Sequence, residues 1–246
     1  MSNFMIGFNL ITLKDYGINI PIYVPPTSHL IIVGGSGSGK STALLYFLYK
    51  LTSTNNVKLT ICDFKASHEF IGISDSFAEF ENCYDQILSF YTSFLSTPEG
   101  GNGSIQVLLI DEIAGLLNHL SMNKETKEKA DKIRQIMSSI LMLGRSKQCF
   151  LWLSMQRYTS SIFPASSGAA DNFHVCIGLG RLTVDGRKGL FAGEHLENEE
   201  HILFKQGRGI VLIDGEPIKG LIIPKVSKQK LLTLLQERHK GGRSTP

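Results

Sequence analysis

The sequence predicts an α/β fold, a mainly parallel central sheet flanked by helices. Three observations predict it. Five apolar runs of strand length recur at residues 30–33, 57–62, 105–110, 150–154 and 174–179. Those at 30–33, 105–110 and 150–154 are nearly continuous rather than alternating, as in strands covered on both faces. Stretches with helical spacing lie between several of them. A Gly/Ser loop joins the first run to a helical segment, the order in which phosphate-binding sheets begin. The 246 residues are 42% hydrophobic and 19% charged, enough for one sizeable core and incompatible with global disorder.

The elements follow in order. Residues 1–28 hold short apolar pieces and end in Val24, Pro25, Pro26 and Thr27, a stiff lead-in. After the strand at 30–33, residues 41–51 place Leu44, Phe47, Leu48 and Leu51 on one helical face. A strand at 57–62 precedes an amphipathic helix in which Phe80, Cys83, Ile87, Phe90 and Phe94 step by three and four. A loop at 98–103 leads to the strand at 105–110. Its Asn102-Gly103-Ser104 has the form of a glycosylation sequon and, without export, signifies only a turn. A long helix at 124–143 carries Ala130, Ile133, Met137, Ile140 and Gly144 on its inner stripe. The Ser-, Ala- and Gly-rich stretch 160–172 reads as a functional loop or broken helix. Asp214-Gly215 marks a hairpin between 210–213 and 218–223, and 228–239 closes the chain as a short basic helix. The expected organisation is a lead-in at 1–28, a core at 29–224 and a basic helix and tail at 225–246.

Charge is unevenly spread. From Lys219 onward seven basic residues face one acid, giving +6, so the first 218 residues carry −3 of the overall +3. A basic tail on a mildly acidic body suits a polyanionic partner, or simply a solvated end. The apolar runs are too short to cross a bilayer, and no secretory pattern opens the chain, so a cytoplasmic protein is expected. Cys62, Cys83, Cys149 and Cys176 each sit in an apolar run and read as buried thiols, not as a disulfide framework or metal site. The histidines form no metal-ligand spacing; His119, His174 and His201 read as surface or packing residues.

Gly34-Gly35-Ser36-Gly37-Ser38-Gly39-Lys40-Ser41 fits the phosphate-loop pattern GxxxxGK[ST] in full, with Thr42 following. Glycines let backbone N–H groups turn inward around a phosphate, and the next helix offers its positive end. Lys40 is placed to reach the β- and γ-phosphates, and the Ser41 hydroxyl to ligate Mg2+. Val107 to Ile110 followed by Asp111-Glu112 is the matching half. The two acids stand at the carboxyl end of a buried strand, where open parallel sheets bind ligands. Asp111 is the expected magnesium-side acid, and Glu112 the residue that polarises the attacking water. The adjacent Glu112 favours ATP hydrolysis over a GTP switch.

Further segments carry a family resemblance. Asp63-Phe64-Lys65 with Glu69 is similar to the D-P-K-x-x-E segment of FtsK/SpoIIIE-type DNA translocases. Leu143-Gly144-Arg145-Ser146-Lys147, then Phe150 to Arg157 with Gln156-Arg157, resembles their GRaxGIHLILATQRP segment. Asn172, the strand at 174–179 and Asp185-Gly186-Arg187 resemble their N-x-x-x-R-I … D-S-R region, and 205–213 resembles a late GxGxxL strand. The resemblance runs in order from about Leu30 to Pro224. It implies a RecA-like P-loop NTPase core of the HerA/FtsK superfamily, nearest to a small coupling-protein-like member from a conjugative element or plasmid. It further implies ATP and Mg2+, a homo-oligomeric and usually hexameric ring, largely sequence-independent DNA as cargo, and a relaxase or membrane transfer-channel protein as a further partner. A location in the cytoplasm, peripheral to the membrane through partners, goes with it.

By the same resemblance Gln156 senses the γ-phosphate, although a polar strand cap is the plain alternative. An arginine from a neighbouring subunit completes the site, with Arg145, Arg181 and Arg187 as candidates. Each is otherwise an ordinary ion-pair residue. Asp63 and Lys65 belong to the site edge or subunit interface, or form an exposed turn pair. Residues 160–172 and 118–129 are the candidate DNA-facing loops. Phe64 and Tyr158 stand where the family has proline, and Val175 or Cys176 stands in place of an arginine, which sets the chain apart from the chromosome-segregation translocases. Their membrane-spanning and winged-helix regions have no counterpart in this sequence, so directional reading of chromosomal DNA is not expected. A protein-secretion ATPase of the same superfamily and a non-hydrolysing nucleotide-binding adaptor are the alternatives.

Overall fold

The computed structural model describes residues 1–241 apart from 165, 166, 198, 200, 201 and 203. His201 and Arg243 therefore lie outside the described residues. Ten strands form one sheet: β1 (Phe4–Asn9), β2 (Pro21–Val24), β3 (Leu30–Val33), β4 (Val57–Asp63), β5 (Ser76–Glu79), β6 (Ile105–Asp111), β7 (Cys149–Met155), β8 (Val175–Leu179), β9 (Arg208–Ile213) and β10 (Lys219–Ile222). Their order is β2-β1-β10-β9-β8-β3-β7-β6-β4-β5. The six strands from β8 to β5 run parallel, and the four on the other side are joined by antiparallel pairings. Among the described residues the α-helices are α1 (Leu10–Tyr16), α2 (Lys40–Thr54), α3 (Cys83–Ser96), α4 (Ile113–Ser121), α5 (Lys124–Lys147), α6 (Val184–Leu190) and α7 (Lys228–Gly241).

The unbroken apolar runs follow from burial on two faces. On β3, Ile31 and Val33 enter the core under α3, α4 and α5, while Leu30 and Ile32 enter the core under α2 and α7. The same split divides Leu151 and Leu153 of β7 from Phe150 and Trp152. Each such fully buried side chain contributes on the order of 1.5–3 kcal/mol.

Residues 1–28 are part of this sheet. Phe4 stacks on Trp152 at 5.8 Å between ring centroids, and Trp152 donates from Nε1 to the Ser28 carbonyl at 3.0 Å. Asn9 caps α1 by accepting from the amides of Ile11 and Thr12, and Gly17 ends it in the left-handed region at φ 69°. At the other terminus α7 docks through buried Leu231 and Leu235, with Arg238 donating to the Thr52 carbonyl at 2.8 Å. The basic helix is thus held on its apolar stripe and by the Arg238 contact.

One expected loop is not a loop. Residues 118–129 comprise the end of α4, then Asn123 accepting from the Glu125 amide at 3.1 Å as the N-cap of α5, and the first turn of that helix. The N-cap signal outweighs the polar composition that suggested a loop. Residues 160–172 are short 3-10 turns at Ser160–Ile162 and Ala169–Asn172, joined by a stretch that includes undescribed residues. Cys62, Cys83 and Cys149 are buried free thiols and Cys176 is half-buried. Among the described residues no helix is long and apolar enough to cross a membrane.

Candidate active site

The glycine loop leaves the carboxyl end of β3 and turns into α2. Gly34 donates to the Met155 carbonyl at the end of β7 (3.2 Å), which ties the loop to the neighbouring strand. A Cβ on Gly34 would lie 2.3 Å from the Leu179 carbonyl oxygen, so no other residue fits there without moving backbone. Gly37 and Gly39 have φ of +76° and +97°, conformations that a side chain strains. No side chain caps α2, so its first amides stay available to an anion. A second glycine turn braces the cradle: Gly207 donates to the Ser38 carbonyl at 2.9 Å.

Lys40 is buried and donates from Nζ to the Gly34 and Gly35 carbonyls at 2.5 and 3.3 Å, which folds its ammonium across the loop. Burial, then the charge of Lys65, holds it below the ordinary lysine range, partly offset by Glu112, Asp111 and Glu69. A pocket of about 290 Å³ opens in front, lined among others by Ser41, Thr42, Lys65, Glu69, Asp111 and Lys228.

Asp63 and Asp111 end adjacent strands as a paired register. Asp111 is buried, and its carboxyl is pushed up by burial and by Asp63 against the pull of the Ser154 hydroxyl and Lys65. Asp63 is fully buried; its Oδ2 accepts from the amide and hydroxyl of Ser67 at 3.0 and 2.9 Å, while Oδ1 has no hydrogen-bond partner among the described residues. An exposed turn pair is therefore excluded for Asp63. Glu112 follows at φ 60°, ψ 48°, left-handed and not glycine, a conformation that costs about 1–2 kcal/mol. Its carboxylate meets Lys65 Nζ at 2.7 Å through Oε2 and accepts from the Gln156 amide at 3.3 Å through Oε1. Gln156 thus stands at the tip of β7, beside both the glycine loop and Glu112, with its side chain exposed.

The three arginines part company. Arg181 is exposed, directly after Gly180, whose Cβ position is 3.3 Å from Ser38 Cβ. Arg187 is tied down: Nε donates to Glu199 Oε1 at 2.8 Å, Nη2 pairs with Oε2, and Nη1 donates to the Glu194 carbonyl at 3.0 Å. Arg145 is exposed at the end of α5, beside the start of β7. Seven strand residues at about 3.3 Å each put it roughly 20 Å from the carboxyl edge where the loop lies. Arg145 does not reach the pocket of its own chain.

Sequence reasoning named the loop, Asp111 and Glu112, but did not place Ser67, Gln206 or Lys228 at the pocket. Lys228 pairs with Glu69, and although burial opposes it, Lys228 and the Ser41 hydroxyl hold the Glu69 carboxyl below its ordinary value. No local pattern signals this, because the partners come from opposite ends of the chain. The donor set suits a nucleoside triphosphate with magnesium: a cradle that a Cβ would fill, an uncapped helix start, a lysine, a hydroxyl and buried carboxylates, all hard oxygen or cationic groups.

No family model and no curated protein matches the sequence. Solved structures do. The cytoplasmic domain of the Thermomonospora curvata type VII secretion ATPase EccC superposes with TM-score 0.68 at 15% identity, over 96% of this chain and 30% of that one. The pCW3 conjugation coupling protein TcpA, in its monomer form with ATPgS, gives 0.69 at 18%, over 89% and 67%. ATPases 2 and 3 of EssC from Geobacillus thermodenitrificans give 0.69 at 13%, over 100% and 50%. The chain spans about a third to two thirds of these longer proteins. At such identity the likeness shows the fold, that of RecA-like P-loop ATPases.

Proposed function

We propose that this protein is a magnesium-dependent ATPase that works in a ring and couples hydrolysis to the movement of DNA. One observation carries the hydrolytic part: the glycine cradle, Lys40 and Asp111 line one pocket at the ends of β3 and β6, and Glu112, next to Asp111, pairs with Lys65 of the same lining. Lys40 and the amides at the start of α2 bind and neutralise the terminal phosphates. Ser41, with Asp111 behind it, holds magnesium, which when bound offsets the charge of the β- and γ-phosphates. Glu112 orients the attacking water and takes its proton. Gln156, on the strand between, is placed to contact the γ-phosphoryl group.

Arg187 is occupied by Glu199, which leaves Arg145 and Arg181 as arginines able to serve a neighbour's site. Hydrolysis that needs a second subunit rises with protein concentration. DNA cargo is supported by the conjugation coupling protein among the similar structures and by the basic α7. A secretion ATPase with a polypeptide cargo is the second reading, favoured by the type VII secretion ATPase in that comparison. ATP turnover across a range of protein concentrations, with and without single- and double-stranded DNA, tests the proposal. Stimulation by DNA together with salt-dependent binding is expected. Turnover without DNA binding at low salt refutes the DNA reading, and nucleotide binding without turnover at any concentration refutes the ATPase.

A further inference from the structure

The Lys65–Glu112 pair has no part in the scheme above. Glu112 is unusually constrained. Its backbone is left-handed, its Oε1 accepts from the Gln156 amide, and its Oε2 meets Lys65 at 2.7 Å. The side-chain stem passes Gly115, where a Cβ would lie 3.1 Å from Glu112 Cγ and 3.0 Å from the Phe64 ring. Lys65 is itself presented by a built turn. Buried Asp63 accepts from the Ser67 amide and hydroxyl, the Ala66 amide donates to the Asp63 carbonyl at 3.1 Å, and Ala66 and His68 adopt φ of 50° and 58°. Two left-handed residues without glycine persist only where surrounding bonds over-determine the turn.

Lys40 does not make this contact: its ammonium lies on the Gly34 and Gly35 carbonyls, on the phosphate side of the loop. With Asp63, Asp111 and Glu112 together on one strand edge, a carboxylate without a counter-charge would turn away from its neighbours. Lys65 supplies the counter-charge from the side, with its own side chain 39% exposed and that of Glu112 only 10%.

We infer that Lys65 is a positioning residue for hydrolysis: it fixes the Glu112 carboxylate so that one oxygen faces the attacking water. The inference rests on the ATPase reading. It also gives the Asp63-x-Lys65 segment a division of labour, in which Asp63 builds the turn and Lys65 reaches the acid. A misplaced catalytic group costs up to about a hundredfold in rate without weakening substrate binding.

Lys65→Met, Lys65→Arg and Glu112→Gln are compared with the wild type in steady-state ATP hydrolysis and in equilibrium binding of a fluorescent ATP analogue. Expected for Lys65→Met is a kcat lowered about 10- to 100-fold, with KM and nucleotide affinity within about threefold of wild type. Lys65→Arg recovers most of the rate, since a guanidinium still pairs with the carboxylate. Adding Lys65→Met to Glu112→Gln lowers the residual single-turnover rate no further, a non-additivity that a merely structural residue does not give. An unchanged or raised kcat in Lys65→Met overturns the inference. So does a parallel loss of nucleotide affinity, which makes Lys65 a phosphate ligand. Loss of rate in Lys65→Arg equal to that in Lys65→Met also overturns it. A wild type that binds nucleotide but never turns it over sinks the ATPase reading and this inference together, whereas an active wild type with an indifferent Lys65 sinks this inference alone.

Discussion

Replacing Glu112 by Gly and by Ala separates its chemistry from the strain of its backbone. Both substitutions delete the same carboxylate and the same Lys65 pair. That pair joins a half-exposed lysine to a mostly buried acid, and after screening its loss costs no more than about 1 kcal/mol. The variants differ in one respect. At φ 60°, ψ 48° an Ala keeps the Cβ clash of the left-handed region, about 1–2 kcal/mol, while Gly escapes it. Glycine gives back roughly 0.5–1 kcal/mol through its larger unfolded-state entropy. The balance leaves Glu112→Gly more stable than Glu112→Ala by about 0.5–1 kcal/mol. For a chain of this size that is about 1–4 °C in Tm. Thermal melts and urea titrations with equal slopes measure it, alongside ATP turnover, which both variants should lose while still binding nucleotide. An Ala variant as stable as the Gly variant refutes the reasoning, since it would mean that residue 112 is not held left-handed in solution. A Gly variant as stable as wild type and inactive would show strain retained for function.

Other outcomes follow from single features. Gly34→Ala puts a Cβ 2.3 Å from the Leu179 carbonyl and 2.7 Å from Ser38 Oγ, and should lower stability by about 1–3 kcal/mol and abolish ATP binding, read by denaturant titration and calorimetry. His29 is buried beneath the sheet and accepts from the Leu151 amide through Nδ1 at 2.9 Å; burial, then His174, lowers its pKa to about 3 from 6.5. Below pH 6.5 the unfolded chain therefore binds a proton that the native chain refuses, and stability falls as pH falls, by about 1.6 kcal/mol from this residue between pH 6.5 and 5. His29→Gln should flatten that slope in urea titrations at the two pH values, and an unchanged slope would contradict it. Glu69→Gln should loosen the start of α7 through the Lys228 pair, read as faster amide exchange in its first turn, and exchange identical to wild type would deny that the pair seats the helix.

The covered sheet was legible because strands packed on two faces have no solvent side on which to place polar residues, so β3, β6 and β7 read as solid apolar blocks. The strands that were missed lack that property. β2 alternates exposed Pro21 and Tyr23 with buried Ile22 and Val24 over four residues, and every residue of β5 is only half-buried. α4 was hidden because its first turn continues from the acids of β6, with a left-handed Glu112 in place of a recognisable cap. The 118–129 segment misled for the opposite reason: its polar residues belong to a cap and the solvent face of α5, and not to a loop.

The site divides in the same physical way. The phosphate loop is contiguous, so its glycines, lysine and serine could be read from one octapeptide, and at Gly34 a Cβ would collide with the Leu179 carbonyl. Asp111 and Glu112 were legible only as the end of a buried strand near such a loop. What the sequence does not display is anything made by pairing distant segments: Lys65 with Glu112, Lys228 with Glu69, the Gly207 amide on the Ser38 carbonyl. These contacts join the turn after β4 to the residue after β6 and to the start of α7, and the turn before β9 to the loop after β3, and only the strand order makes them neighbours. That order also separates the arginines. Motif similarity treats Arg145 and Arg187 alike, yet Arg187 is locked in a fork with Glu199 while Arg145 stands at the far end of β7. Arg145 therefore lies out of reach of its own chain's phosphate loop, roughly 20 Å away along β7, and only the ring proposed above would give it a nucleotide site to serve.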